Sequence, residues 1–135
     1  MRLKDICYKY DLEAPKAFWD ESEEKLAYIY NGAGPDWLPK WGRDVLTYFL
    51  ELFKGAMVIH DWEYEYSDKT QAGFDDANAR MWRNFKRIIN IEYPFRKFWL
   101  WFRRSHYRGL ARLAYRFCKL FGWSAWVDET KQGES

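Results

Sequence analysis

"VLTYFLELFKGAMVIHDWEYEY", residues 45–66, decides the fold. Val45, Phe49, Phe53 and Met57 recur every fourth residue, the spacing that gathers apolar side chains on one face of an α-helix. Asp44 stands where an N-cap belongs. "SDKTQAG", residues 67–73, supplies turn chemistry, and a further helix is predicted from about Phe74 to Asn90. Upstream, a helix is predicted from Pro15 to Tyr30. Proline suits its first position, acids crowd its early turns, and "NGAGP" stops it. "NGAGPDWLPKWG", residues 31–42, holds three glycines and two prolines and reads as irregular. Residues 1–14 read as irregular too. Pro94 pushes the residue before it out of the helical region, so "IEYPF" ends the Phe74 helix. Helical stretches follow near 95–105 and 107–121. The second places Leu110, Leu113, Ala114, Phe117 and Leu120 on one stripe, and Gly122 closes it. No strand alternation is present. The prediction is an all-α single domain over residues 1–127, of about five helices around an antiparallel central pair, with a polar, flexible tail at 128–135.

The composition narrows the classes. Of 135 residues, 48% are apolar and 21% aromatic, enough for a true core. The net charge of +2 conceals a division along the chain. Residues 1–79 carry nine Lys/Arg against sixteen Asp/Glu, whereas residues 80–119 carry twelve Lys/Arg against Glu92 alone. Cys7 and Cys118 are the only cysteines and form no CxxC pair, which excludes a disulfide framework. The N-terminal stretch has no apolar run of signal-peptide length, and no segment reaches a membrane span. The expectation is a protein made and kept in the cytoplasm. His60 and His106 stand at no zinc spacing with either cysteine. Neither a phosphate-binding GxxxxGK[ST] loop nor a GxSxG elbow occurs.

The helix at 55–66 carries the chemistry. His60 and Tyr64 are four apart and share a face, while Asp61 points about 100° round from His60. If the helix after the turn returns antiparallel, Asp75 or Asp76 comes level with His60. A carboxylate there would orient one ring nitrogen and leave the other to take a proton. Asp61 is a hard oxygen donor suited to Ca²⁺, and the glycine loop at 31–35 could add backbone carbonyls.

The loop "YNGAGP", the helix "AMVIHDWEY" and the returning "FDDANARM" together resemble the phospholipase A2-like superfamily, in its small bacterial and phage branch. The resemblance spans about residues 30–90. It implies a calcium-dependent hydrolase acting on the sn-2 ester of phospholipids. His60 would activate the attacking water. Asp75 or Asp76 would orient His60, with Asp75 favoured, and Tyr64 would hold the ring by a hydrogen bond. Asp61 would bind Ca²⁺ with carbonyls of Tyr30, Gly32 and Gly34. Many relatives link loop to helix through two cysteines. Ala33 and Met57 stand at those places here, which suits a reducing compartment.

The basic aromatic stretch at 96–126 has two readings. In one, Trp, Phe and Leu enter a phospholipid surface while Arg and Lys meet anionic headgroups. In the other, the aromatics close the core over the central pair and the arginines face water. Nucleic acid is not the expected partner, because no RNP or similar motif accompanies the charge. The alternative to the hydrolase is a non-enzymatic phage or prophage protein on the same scaffold. It would serve in structure or host interaction, bind a protein partner and be associated with the virion.

Overall fold

The computed structural model describes residues 2–30 and 40–127. It is all-α, and no strand occurs among the described residues. Helix α1 spans Leu3–Lys9, and a 3-10 turn at Lys16–Asp20 leads to α2, Glu23–Ile29. Then come α3 (Lys40–Leu52), α4 (Lys54–Tyr66) and α5 (Gln71–Glu92). A second 3-10 turn at Phe98–Leu100 opens into α6, Trp101–Phe121, and α7 is the short Trp123–Trp126. None of the described helices is long and apolar enough to cross a membrane.

Helix α4 is the centre. Nine of its residues are buried, including Ala56, Val58, Ile59, His60 and Trp62, so it is enclosed on nearly all sides. Helices α1, α2, α3, α5 and α7 all pack on it. The predicted antiparallel pair is present as α4 and α5. Tyr64 meets Phe74, His60 meets Asn78, and Phe53 meets Phe85, so each step back along α4 is matched by a step forward along α5. The turn between them is set by Thr70, whose hydroxyl accepts from the Gly73 amide at 3.0 Å and donates to Asp68 at 2.6 Å.

Several boundaries differ from those predicted. The irregular start is partly helical. Leu3 and Cys7, one turn apart on α1, are buried against α4, where Gly55 allows the approach: a Cβ there would lie 2.8 Å from Leu12 Cδ1. Asp11 then takes φ 51°, and the Leu12 amide donates back to the Cys7 carbonyl at 3.0 Å, closing the helix. The helix predicted over 15–30 is divided at Glu21–Ser22, because Ser22 accepts from the Lys25 amide and caps a new start. The stretch 45–66 is divided at Phe53, a fully buried ring wedged against Phe49 and Phe85. Helix α3 begins at Lys40, inside the segment read as irregular, α5 extends the helix predicted over 74–90 by a few residues at each end, and α6 runs as one helix across the boundary predicted between 105 and 107.

The stripe on α6 is corrected in part. Leu110 and Ala114 pack on the core, but Leu113, Phe117 and Leu120 are exposed at 66%, 63% and 72%. The face that packs is rotated to include Arg104, Tyr107, Leu110, Ala111, Ala114, Tyr115 and Cys118. Arg104 fixes that rotation. It is buried, donates to the Tyr93 carbonyl at 2.8 Å and to Asn90 Oδ1 at 2.9 Å, and lies 3.7 Å over the Phe95 ring. The planar guanidinium thereby ties α6 to the end of α5. The polar tail at 128–135 lies outside the described residues.

Candidate functional site

His60 projects from α4 towards α5. Its Nε2 lies 2.9 Å from Asn78 Oδ1, and the Tyr64 hydroxyl donates to the same oxygen at 3.4 Å. The two rings, one helical turn apart, have centroids 4.4 Å apart. An amide oxygen only accepts, so His60 carries its proton on Nε2 and Nδ1 is the basic nitrogen. Asn78 Nδ2 has no hydrogen-bond partner among the described residues. The set is dry: His60, Tyr64 and Asn78 are all buried. Trp126 stands edge-on to Tyr64 at 5.0 Å, and Phe74 completes the wall. Gly122 is required behind Tyr64, because a Cβ there would meet the tyrosine hydroxyl and the Cys118 carbonyl. Burial pushes the His60 pKa down to about 4, with the Asn78 bond opposing, so the imidazole is neutral at pH 7.

The predicted acid partner is not at the ring. Asp75 is exposed and accepts from Gln71 Nε2 at 3.0 Å. Asp76 is exposed and pairs with Arg80 at 2.8 Å. The residue that reaches His60 is Asn78, in the same "FDDAN" segment. Helix α5 starts at Gln71, so seven residues are needed to climb level with His60. Asp75 lies a turn too early, and Asp76, two residues from Asn78, faces roughly 200° away. An amide orients the ring but supplies no counter-charge for an imidazolium.

Asp61 is half-buried on the neighbouring face of α4. Its charge reaches Tyr30, Tyr64 and Cys118. Burial first, and Asp61 second, raise the Tyr30 phenol to about 12 and the Cys118 thiol to about 11. Tyr64 is raised as well, mainly by burial. Tyr30 ends the chain before the glycine loop, and its hydroxyl donates to the Leu50 carbonyl at 3.4 Å. Gly32, Gly34 and Ala33 lie outside the described residues. Met57 is half-buried and packs on the core. No group of three or more His, Cys, Asp or Glu gathers among the described residues. A cleft of about 770 Å³ lies beside Tyr30, with Glu23, Thr47, Glu51 and Lys54 in its walls, and His60 is not part of its lining.

Two residues went unread in the sequence. Asn78 was within reach of a register count from Thr70. Glu63 carried no signal in a helix of mixed polarity. Glu63 is buried and ion-paired with Arg80, and burial, prevailing over Arg80, raises its pKa to about 7.

The other concentration of chemistry is on α6 and the linker before it. Phe95, Phe98, Trp99, Trp101 and Phe102 are exposed by 56–80%. Arg96, Lys97, Arg103, Arg108, Arg112, Arg116 and Lys119 are exposed among them, and no acid occurs from Tyr93 to Phe121. The reading in which the aromatics of 96–126 close the core holds for Tyr107, Tyr115 and Trp126 but not for the exposed rings from Phe98 to Phe102. Comparison with protein-family models, curated proteins and solved structures gives no match to this chain.

Proposed function

We propose that this protein binds anionic phospholipid surfaces peripherally, with α6 and the linker before it as the contacting element. One observation carries the reading. Five large aromatic side chains stand in solvent between Phe95 and Phe102, beside seven exposed cations with no acid among them. Aromatic rings favour the zone between headgroup and acyl chain, and arginines reach the phosphates from an aliphatic stem that shares the apolar zone. Each Lys or Arg near such a surface contributes roughly 1 kcal/mol. The test is sedimentation with vesicles of phosphatidylcholine containing phosphatidylglycerol. Wild type should bind them and prefer them to phosphatidylcholine alone, and added salt should weaken binding. The Phe98→Ser/Trp99→Ser variant should bind at least about tenfold more weakly. Failure of wild type to bind, or binding indifferent to both replacements, would sink the reading.

A second reading is favoured by the His60 set: a calcium-dependent phospholipase A2-like ester hydrolase working at that surface. His60 is neutral, oriented through Nε2 and basic at Nδ1, which is the state a general base needs. Asp61, one residue on and within electrostatic reach of Tyr30, would hold Ca²⁺ together with carbonyls of Tyr30, Gly32 and Gly34. The ion, when bound, supplies polarisation of the ester carbonyl. Burial, with no carboxylate at the ring to offset it, makes His60 a weak base, so slow turnover is expected. Fatty-acid release from the same vesicles, with calcium and with chelator, is the measurement. Release that needs calcium and falls by about 100-fold or more in His60→Gln supports the hydrolase. Equal traces in both proteins, with vesicle binding intact, leave a non-enzymatic surface protein.

A further inference from the structure

Among the exposed aromatics, one cleft differs from its surroundings. It has a volume of about 420 Å³ and is walled by Tyr48 of α3, Tyr93 of the linker, and Phe102, Arg103, His106 and Tyr107 of α6. Two of its walls, Tyr93 and Tyr107, are held in place, while Tyr48, Phe102, Arg103 and His106 are exposed around them. Tyr93 and Tyr107 are half-buried and stack in parallel, centroids 5.4 Å apart and planes 9° apart. Tyr107 is held from beneath by the buried Phe53, at 6.3 Å. Buried Arg104 bonds the Tyr93 carbonyl and fixes the linker in place. Burial raises the Tyr93 pKa and Arg103 opposes the rise, so the Arg103 guanidinium stands within electrostatic reach of that phenol.

The six walls comprise one guanidinium, one imidazole, three phenols and Phe102, with no carboxylate. Guanidinium and imidazole nitrogens donate, and phenols can donate, so the cleft offers several donors around a fixed stacked platform. That suits an oxyanion with three or four acceptor oxygens, where arginine is the preferred partner. Its rim decides the source. Phe102 is 80% exposed, and Phe98, Trp99 and Trp101 precede it on the same stretch, which is surface fit for acyl chains.

We propose that the cleft between α3 and α6 is a headgroup site, in which Arg103, His106 and the tyrosine hydroxyls take the phosphate of an anionic phospholipid while Phe102 rests against its glycerol and acyl region. The proposal rests on the surface-binding reading above and gives it a specific point of attachment. It differs from a diffuse basic face in one respect: two arginines that are both exposed on α6 become unequal.

The experiment compares Arg103→Gln with Arg112→Gln, which removes the same charge from α6 outside the cleft. Circular dichroism checks that both fold. Affinity is measured by sedimentation with phosphatidylcholine vesicles containing phosphatidylglycerol, and separately by titration with glycerol 3-phosphate in solution. Loss of a surface charge alone should weaken vesicle binding roughly fivefold. Arg103→Gln should lose at least about fivefold more than that, and His106→Gln should move in the same direction. Equal losses at 103 and 112 overturn the cleft and leave the surface reading standing. No vesicle binding by wild type overturns the surface reading. Titration by glycerol 3-phosphate without vesicle binding shows a site for a soluble phosphate and overturns the lipid assignment.

Discussion

Trp126→Ala is expected to destabilise the fold by about 3–5 kcal/mol and, in the same protein, to raise the His60 pKa from about 4 towards its ordinary value. Trp126 is fully buried and walls the site beside Tyr64. It stands edge-on to Tyr64 at 5.0 Å and packs on Phe74 at 5.9 Å, with Lys69 over its ring at 4.9 Å. Truncation removes a large aromatic from a cluster of only four buried residues, Tyr64, Phe74, Ala77 and Trp126, so the cavity has little around it that can collapse inwards. Water entering there reaches the Tyr64 hydroxyl, then Asn78, then the imidazole. Because burial is the chief cause of the lowered His60 pKa, hydration must restore it. Urea unfolding gives the first quantity and an NMR titration of His60 the second. A large loss of stability with an unmoved His60 would show that Trp126 does not shield the ring.

Acidification provides the second large effect. His60 titrates at about 4 in the folded chain against an ordinary 6.5, so between those values the unfolded chain binds the extra proton. The His60 contribution to stability is therefore whole above pH 6.5 and falls as pH drops towards 4, by on the order of 3 kcal/mol in total. Glu63 acts in the opposite sense. Its folded pKa of about 7 lies above the ordinary 4.5, so the folded chain binds the proton more tightly between those values. Its contribution grows as pH falls from 7 to 4.5. The comparison that separates them is denaturant midpoint against pH in wild type and in His60→Gln. The two shifts are of equal size, so between pH 6.5 and 4.5 they nearly cancel in wild type, whereas in His60→Gln the Glu63 contribution stands alone and stability should rise by on the order of 3 kcal/mol as pH falls from 7 to 4.5. The same pH profile in both proteins would show that His60 is not the opposing group.

The helix class and the central antiparallel pair were legible because apolar periodicity and turn chemistry act locally. Thr70 and Pro94 mark real boundaries. The breaks at Ser22 and Phe53 were not legible, since the first depends on a cap competing with helix propagation and the second on a ring finding a tertiary slot. The packing face of α6 was misread for a similar reason. Leu113, Phe117 and Leu120 are more apolar than Arg104 and Tyr115, yet the α5–α6 seam is set by the Arg104 bonds and the Trp82–Tyr115 contact, both non-local. At the site, His60 and Tyr64 follow from helical spacing alone. The third member needed the length of the turn, and with it the difference between an aspartate and an asparagine.

The order of packing has a consequence for how the molecule meets a charged surface. Helices α1 and α2 pack on α4, α4 packs on α5, and α5 on α6. In that order α4 and α5 stand between α1 and α2 and the acid-free α6. A net charge of +2 understates the division along the chain, with sixteen acids against nine bases before residue 80 and Glu92 alone against twelve bases from 80 to 119. On the proposed binding, the field of an anionic bilayer attracts the second stretch more than the first before any contact is made. The chain would be turned α6-first during approach, so that orientation is set by long-range attraction and retention by the aromatic side chains.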